Sequence, residues 1–200
     1  MVNIVSFSGG KDSTAMLHML LEHNVPIQEV VCFECEWDFP QMEHHLEMVE
    51  RLTGIRIVRV RSYRHFNEFQ RRWGMPHPSG GWCTAKKRDV IHVFIRAMKC
   101  HYDVEYSGIT EYIGFAADEV KRSEKPSLAK KKWNVSFPLI DWDVTEDDAL
   151  RYCLDLGYTW DGLYDVFRRV SCVCCPKATG REELVRQHFP ELHKQFADQW

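Results

Sequence analysis

Short apolar runs alternate with longer amphipathic stretches along most of the chain. Runs of β-branched and aromatic residues predict buried strands, and apolar positions three or four residues apart predict helices. The predicted strands cover residues 2–7, 28–33, 55–60, 103–108 and 135–139. The predicted helices cover residues 13–23, 41–52, 65–73, 84–98, 145–156 and the tail from 181 onward. This alternation is typical of an α/β protein with a parallel sheet wrapped by helices.

Two stretches interrupt the alternation. Residues 74–82 hold several glycines and prolines and predict a loop, and residues 111–133 are irregular and rich in lysine. Thr145 is a predicted helix N-cap, and Asp148 stands three residues later at the capping-box position. We predict that residues 1–160 form one nucleotide-binding α/β domain, and that residues 161–200 form a cysteine-containing loop and helical tail packed on the same domain.

Composition and charge limit the class of protein. The chain has 200 residues, of which 44% are hydrophobic and 28% are charged, and a net charge of −3 that does not favour nucleic acid globally. No apolar run approaches the roughly 18 residues that a membrane span needs, and the first residues lack the pattern of a secretory signal. We therefore expect a cytoplasmic protein without a membrane partner. The eight cysteines are then expected to bind metal or do chemistry rather than form disulfides.

The segment from Ser8 to Ser13 joins the first predicted strand to the first predicted helix and reads Ser-Gly-Gly-Lys-Asp-Ser. Phosphate binding needs several N–H donors in a small concave space, which glycines and a helix N-terminus supply. Lys11 adds a positive charge, and Asp12 beside an anion indicates a Mg²⁺ ion or a substrate contact. Two glycines alone also occur in ordinary strand-to-helix turns, and the segment is not a Walker loop.

The same hexapeptide resembles the PP-loop of the ATP pyrophosphatases, which are adenine nucleotide α-hydrolase-like proteins. Within that group the chain is most similar to the phosphoadenosine-phosphosulfate reductase-like branch, on the strength of residues 34–40, 82–87, 114–122 and 137–142. Ala116 departs from the family pattern, which often has arginine there. The resemblance implies a Rossmann-like parallel sheet with helices on both faces, and chemistry that splits ATP between its α and β phosphates.

The resemblance also implies which residues form the nucleotide site. The predicted contacts to ATP and Mg²⁺ are Ser8, Gly9, Gly10, Lys11, Asp12, Ser13, Glu34, Gly114, Glu119 and Arg122. The predicted catalytic residues are Lys11, Asp12 and Cys83. Glu34 opens an acidic stretch after the second strand, where ligands of open α/β sheets bind. A solvated acidic loop explains the same stretch equally well.

Cys172 and Cys175 have the C-x-x-C spacing that lets two thiolates reach one metal centre, and Cys83, before a basic helix start, adds a third candidate ligand. The residues leave three interpretations: buried structural thiols, a four-ligand zinc site, and an iron–sulfur cluster. The fourth zinc ligand would be Cys174, Cys35 or His77. The resemblance to iron–sulfur thiolation and DNA-phosphorothioation enzymes favours a [4Fe–4S] cluster on Cys83, Cys172 and Cys175, with zinc as the alternative metal.

Six arginines lie within residues 56–72, and aromatic residues are interleaved with them. Arginine mixed with aromatic rings suits a surface that binds nucleic acid or nucleotides. A solvated helix face beside a strand end produces the same composition. The sequence leaves both interpretations open.

These features predict an ATP-dependent sulfurtransferase that adenylates an acceptor and then replaces AMP with sulfur. The acceptor is left open among a nucleobase, tRNA and DNA; the sulfur comes from sulfide or a donor protein, and a homodimer is compatible with this function. One alternative is an adenylyl-sulfate or phosphoadenylyl-sulfate reductase, although that family uses a C-terminal cysteine and this sequence has none after Cys175. A second alternative is a nucleotide-binding, cluster-carrying subunit that catalyses nothing alone.

Overall fold

The computed structural model of the protein describes residues 1–79 and 81–200. Gly80, in the predicted loop over residues 74–82, lies outside the described residues. The strands are β1 (Val2–Phe7), β2 (Glu29–Phe33), β3 (Ile57–Val60), β4 (Ile109–Ile113) and β5 (Asn134–Ser136). The helices are α1 (Lys11–Glu22), α2 (Gln41–Thr53), α3 (Phe66–Trp73), α4 (Trp82–His101), α5 (Val120–Ser123), α6 (Pro126–Ala129), α7 (Pro138–Asp141), α8 (Glu146–Asp155), α9 (Leu163–Val166), α10 (Arg181–His188) and α11 (Pro190–Gln195). Across both described ranges, no helix combines the length and the apolar character needed to cross a bilayer.

The five strands form one parallel sheet in the order β3-β2-β1-β4-β5. In the central strand β1, Val5 pairs with Val30 of β2 on one side and with Tyr112 of β4 on the other. The chain builds the sheet outward from β1 to β3 and then returns to the opposite side of β1. The carboxyl ends of β1 and β4 therefore border the point where the strand order reverses, which is the usual ligand position in open α/β sheets.

The hydrophobic core has two layers, one on each face of the sheet. Val5 of β1 belongs to the larger layer, together with Leu17 of α1 and Leu46 of α2. Ile4 belongs to the smaller layer, together with Ile95 of α4. Neighbouring side chains along a strand point to opposite faces, which explains this division. The predicted α/β fold, with helices on both faces of a parallel sheet, is confirmed.

The fourth strand departs most from the sequence prediction. Residues 103–108 form a turn and a short 3-10 segment, and β4 begins only at Ile109. Asp103 has a φ of 48°, a left-handed conformation just beyond the end of α4. The prediction missed β4 because Glu111 interrupts its apolar pattern, although Glu111 is 2% exposed. Its carboxylate accepts hydrogen bonds of 2.5–2.7 Å from Ser6, Lys131 and Trp133.

Smaller differences concern the ends of elements. The last predicted strand stops at Ser136, because Pro138 lacks the N–H group that a strand ladder needs and instead begins α7. The predicted cap of α8 is confirmed: the Thr145 side chain accepts a hydrogen bond of 3.2 Å from the Asp148 N–H, and Asp148 completes the capping box.

The cysteine-containing C-terminal residues pack on the same core as the sheet. Val173, Cys174, Val185 and Phe196 are buried in the larger core layer. The Val173 N–H donates to the carbonyl of Trp37 at 2.7 Å, which fixes the Cys-x-x-Cys segment beside the residues that follow β2. The domain boundary at residue 160 stays a prediction.

Candidate nucleotide and thiol site

The Gly-rich loop turns sharply between β1 and α1. Gly9 has a φ of 74°, in the left-handed region that favours glycine, and Gly10 is the N-cap of α1. The N–H groups of the first helical turn have no partner within the helix. Gly114, after β4, lies against this turn, because a Cβ there would come within 3.0 Å of the Ser13 backbone nitrogen. The loop therefore has the close approach and the N–H donors that a phosphate group needs.

Aromatic side chains from distant parts of the sequence hold the loop in place. Trp160 Nε1 donates to the Gly9 carbonyl at 2.8 Å, and the Lys11 N–H donates to the Tyr164 hydroxyl at 2.7 Å. His45 of α2 stacks on Trp160 with ring centroids 4.4 Å apart. Burial lowers the pKa of His45 to about 3, so its ring is neutral. No local motif marks Trp160, Tyr164 or His45 as parts of the site.

Lys11 is 2% exposed, and its ammonium group is paired inside the protein. Its Nζ lies 2.8 Å from Asp12 Oδ1 and 3.2 Å from Glu146 Oε2. Burial alone would raise the pKa of Glu146, but hydrogen bonds from Arg169 and the charge of Lys11 lower it. Burial raises the pKa of Asp12 against the opposing charge of Lys11. Two carboxylates therefore compensate the charge of Lys11, and its role toward phosphate stays a prediction.

Glu119 extends this charged network. It is 6% exposed, and its carboxylate contacts Arg122 at 2.5 Å and Arg169. Arg169 also contacts Glu146, so one guanidinium joins the segment after β4 to the start of α8. The structure thus brings the predicted Glu119 and Arg122 together with two side chains that the sequence analysis missed. Ala116, where the family pattern has arginine, is fully buried.

A cleft of about 1020 Å³ opens at the carboxyl ends of the strands. Among the predicted nucleotide contacts, Ser8, Glu34 and Arg122 line it. Its described lining holds eight lysines and arginines against five carboxylates, a balance that suits an anionic ligand. The volume lies at the upper end of the range for small-molecule sites, so a nucleoside triphosphate fits within it.

Glu34 is held by arginines on the wall of the cleft. Arg61 donates from Nε and Nη2 to Glu34 Oε2 at 3.0 and 2.9 Å, and Arg59 Nε lies 3.5 Å from Oε1. Among the described residues, the buried Oε1 accepts no hydrogen bond. A carboxylate oxygen with this vacant capacity fits the donor chemistry of Mg²⁺, and the role of Glu34 stays a prediction.

Two cysteines that are far apart in the sequence meet on the wall of the cleft. The ligand atoms of Cys35, Asp38 and Cys172 all lie within 4.8 Å of one another. Lys87 Nζ lies 3.3 Å from Cys172 Sγ and 3.8 Å from Asp38 Oδ1. The hydrogen bond from Cys35 and the charge of Lys87 lower the pKa of Cys172 to about 7 against the effect of burial. The same hydrogen bond, together with burial, raises the pKa of Cys35, so Cys172 is the more acidic thiol of the pair.

Cys83 and Cys175 approach this region from two segments. Lys177 Nζ donates to the Thr84 hydroxyl at 2.8 Å, which ties the residues after Cys175 to the start of α4 beside Cys83. In the ranges the structure describes, neither cysteine joins Cys35, Asp38 and Cys172 in a group tight enough for a single ion. The partly exposed thiols of Cys83, Cys172 and Cys175 nevertheless suit a thiolate-binding metal, and an iron–sulfur cluster spreads its ligands over several irons.

The fold and the loop are those of a nucleotide-binding α/β protein, and the candidate site lies at the switch point of the parallel sheet. The chain belongs to the family described as the phosphoadenosine phosphosulfate reductase domain, which matches residues 2–178. The resemblance seen in the PP-loop and its accompanying segments is therefore confirmed. Members of this family are generally enzymes that use nucleotides.

Two individual proteins are similar to this chain. The uncharacterized protein MJ0066 of Methanocaldococcus jannaschii is 28% identical over 196 residues, which are 96% of this chain and 40% of that protein. The chain thus spans about two fifths of the length of this curated relative. A solved structure described as a predicted subunit of tRNA methyltransferase from Methanocaldococcus jannaschii has 15% identity and a TM-score of 0.40, covering 78% of this chain and 74% of its own. Nothing about the substrate follows from this likeness.

Proposed function

We propose that this protein is an ATP-dependent sulfurtransferase that forms AMP and pyrophosphate. The observation that carries the proposal is that one cleft contains both Ser8 of the phosphate loop and the Cys172 thiol, whose pKa is about 7. A site that activates an acceptor with ATP and then delivers sulfur needs these two chemistries side by side.

The phosphate groups of ATP would bind at the N-terminus of α1. The Asp12 and Ser13 N–H groups and the Ser8 hydroxyl would donate to phosphate oxygens, while the Lys11 N–H keeps Tyr164 as its partner; the helix dipole favours the negative charge. Arg122, on the cleft wall, supplies a fixed positive charge for the transition state. Glu34 and Asp12 are the proposed carboxylate ligands of the Mg²⁺ that accompanies the triphosphate.

The reaction has two displacement steps. A carbonyl oxygen of the acceptor attacks the α-phosphorus of ATP, and the bond to the β-phosphate oxygen breaks, which releases pyrophosphate. A sulfur nucleophile then attacks the carbonyl carbon, and the carbon–oxygen bond breaks with AMP as the leaving group. Sulfide or a donor protein supplies the sulfur, and the acceptor is a nucleobase, free or within tRNA or DNA.

Cys83, Cys172 and Cys175 are the proposed ligands of a [4Fe–4S] cluster, with zinc as the alternative metal. Such a cluster, when bound, supplies iron with an affinity for sulfide. Iron and sulfide analysis of anaerobically purified protein tests this assignment, with Cys100→Ser as the control for serine variants of the three ligands. Retention of full iron content in all three ligand variants would exclude it, as would a colourless protein that holds one zinc ion.

Calorimetry with magnesium-ATP tests the nucleotide part of the proposal. Arg122→Gln removes a charged hydrogen-bond donor from the cleft, and we expect about tenfold weaker binding. Arg151→Gln is the matched control, because Arg151 is 71% exposed and pairs with Asp148 on α8. Equal affinities of the Arg122 variant and the parent would remove Arg122 from the site, and the absence of any heat with the parent would end the proposal.

A second candidate function is reduction of a sulfonucleotide. The specific observation in its favour is the Cys35–Cys172 pair, because a dithiol supplies two electrons by closing to a disulfide. Assays of sulfite release from adenylyl sulfate and phosphoadenylyl sulfate separate the two enzymes. If neither sulfite nor AMP is released with any acceptor, the result would favour the remaining alternative, a nucleotide-binding subunit without its own catalysis.

A further inference from the structure

The rim of the cleft beside β3 and α3 carries side chains that the proposed chemistry does not use. We propose that this aromatic rim, formed by Tyr63, Arg64, Phe69, Trp73 and Lys86, binds a single-stranded segment of nucleic acid. The proposal names the class of acceptor, so its consequence for catalysis rests on the proposed function. The binding itself does not depend on ATP.

Two exposed rings flank a buried ring on this surface. Tyr63 is 79% exposed and Trp73 is 48% exposed, whereas Phe69 between them is 1% exposed. The Tyr63 and Phe69 centroids lie 6.0 Å apart, and Phe69 and Trp73 stack at 5.0 Å with an interplanar angle of 15°. The buried ring therefore contacts and positions two aromatic side chains that are largely open to solvent. Unpaired bases stack on such faces without regard to sequence.

Cations surround these rings. Arg64 lies 5.4 Å from the Tyr63 centroid, Arg72 lies 5.9 Å from the Trp73 centroid, and Lys86 Nζ lies 5.3 Å from the Phe69 centroid. Residues 61–73 contain four arginines and one glutamate, in a chain whose net charge is −3. Positive charge is thus concentrated in one short segment of an acidic protein, and even with Arg61 paired to Glu34 the cations around the rings suit a phosphate backbone.

The aromatic rim is continuous with the cleft. Arg64 both contacts Tyr63 and lines the cleft. Lys86 faces Phe69 and Trp73, while its neighbour Lys87 contacts Cys172 within the cleft. A strand that stacks on the rim therefore has a positively charged path for a base toward Cys172 and the interior of the cleft.

The exposed aromatic rings indicate which kind of anionic partner fits this surface. An acidic polypeptide would satisfy the arginines but would leave the two exposed ring faces without a partner. A duplex keeps its bases stacked internally and offers mainly its backbone phosphates. A single strand satisfies both the charges and the rings.

Fluorescence anisotropy of the whole chain with a fluorescein-labelled single-stranded RNA of about 12 nucleotides tests the proposal. We expect binding at about 50 mM salt that weakens roughly 20- to 50-fold at about 200 mM, as three or four phosphate contacts require. Tyr63→Ala removes an exposed ring and should weaken binding at least about fivefold, whereas Tyr63→Phe should bind like the parent. Leu52→Ala is the control for loss of an exposed apolar side chain, because Leu52 is 49% exposed.

Three results would overturn the proposal. They are no anisotropy change with the parent at low salt, equal affinity for Tyr63→Ala and the parent, and equal competition by polyglutamate or by the matching duplex. Calorimetry with magnesium-ATP on Tyr63→Ala should give the parent's affinity. If the parent binds RNA but not ATP, the proposed function fails while the rim proposal stands.

Discussion

The buried pair of Lys11 and Glu146 predicts a measurable loss of stability when the acid is neutralised. In Glu146→Gln, Lys11 keeps only Asp12 as a carboxylate partner, and the half-exposed Arg169 keeps only Glu119. Removing one partner of a buried ion pair costs about 3–5 kcal/mol when the remaining charge is left alone. Because both cations keep a second carboxylate and Arg169 reaches solvent, we expect about 2 kcal/mol. That loss lowers the melting temperature of a chain of this size by about 4–8 °C.

Urea unfolding followed by tryptophan fluorescence measures this free energy. Glu183→Gln is the matched control, because Glu183 pairs with Arg186 on the exposed face of α10, and it should unfold like the parent. The pKa of Glu146 is lowered in the folded protein, so its contribution is present above the ordinary value of 4.5 and is lost as the pH falls below it. A parent-like midpoint for Glu146→Gln at neutral pH would refute the reasoning, as would a deficit that persists undiminished in acid.

Two further predictions concern the thiolate and the loop. In metal-free protein, Lys87→Met should raise the pH midpoint of iodoacetamide alkylation at Cys172 above its value of about 7, because a stabilising positive charge is lost. Mass spectrometry measures this midpoint, and Lys99→Met is the control, because Lys99 pairs with Glu105 near the other end of α4. An unmoved midpoint, or an equal shift in the control, would contradict the assignment. Tyr164→Phe removes the hydrogen-bond acceptor of a loop N–H and should cost about 1 kcal/mol of stability and weaken magnesium-ATP binding. Differential scanning fluorimetry and calorimetry test this, with Tyr102→Phe as the control, because the Tyr102 hydroxyl donates to Glu29 of β2 at 2.8 Å and not to the loop. Unchanged ATP affinity would show that the loop holds its shape without Tyr164.

Local patterns were enough to predict the fold and the position of the loop. The first three strands and the helices between them follow from apolar runs and periodicity, because each element satisfies its own backbone and buries one face. The Ser-Gly-Gly turn was recognisable from its paired glycines, of which Gly9 adopts the positive φ that favours glycine. Strand β4 was missed because a glutamate within an apolar run argues against a buried strand. Glu111 is nevertheless buried, because Lys131 and Trp133, 20 and 22 positions further along the chain, donate to its carboxylate.

The rest of the site depends on contacts between segments that are distant in the sequence, and the spacing of residues within one motif does not predict such contacts. The C-x-x-C pattern predicted Cys172 and Cys175 as ligands of one metal centre, whereas the structure places Cys172 beside Cys35 and Asp38. The basic helix start after Cys83 supplies Lys87, which contacts Cys172, a residue 85 positions further along the chain. Such pairings depend on how the Cys-x-x-Cys segment docks beside the end of β2, which only the packed core determines.

The burial of Lys11 limits what its charge contributes to the proposed phosphate site. With Asp12 and Glu146 around its ammonium, Lys11 adds little net charge at the surface of the loop. In the proposed site, the attraction then comes from the first-turn N–H groups that have no partner among the described residues, the helix dipole and the excess of cations over carboxylates on the cleft wall. A Lys11→Met variant would leave two carboxylates without their shared partner and so disturb the loop and the ligand together. Arg122→Gln removes one partner of Glu119, but Glu119 keeps Arg169 and the contacts of Lys11 stay in place, so it is the cleaner measure of how electrostatics contribute to nucleotide affinity.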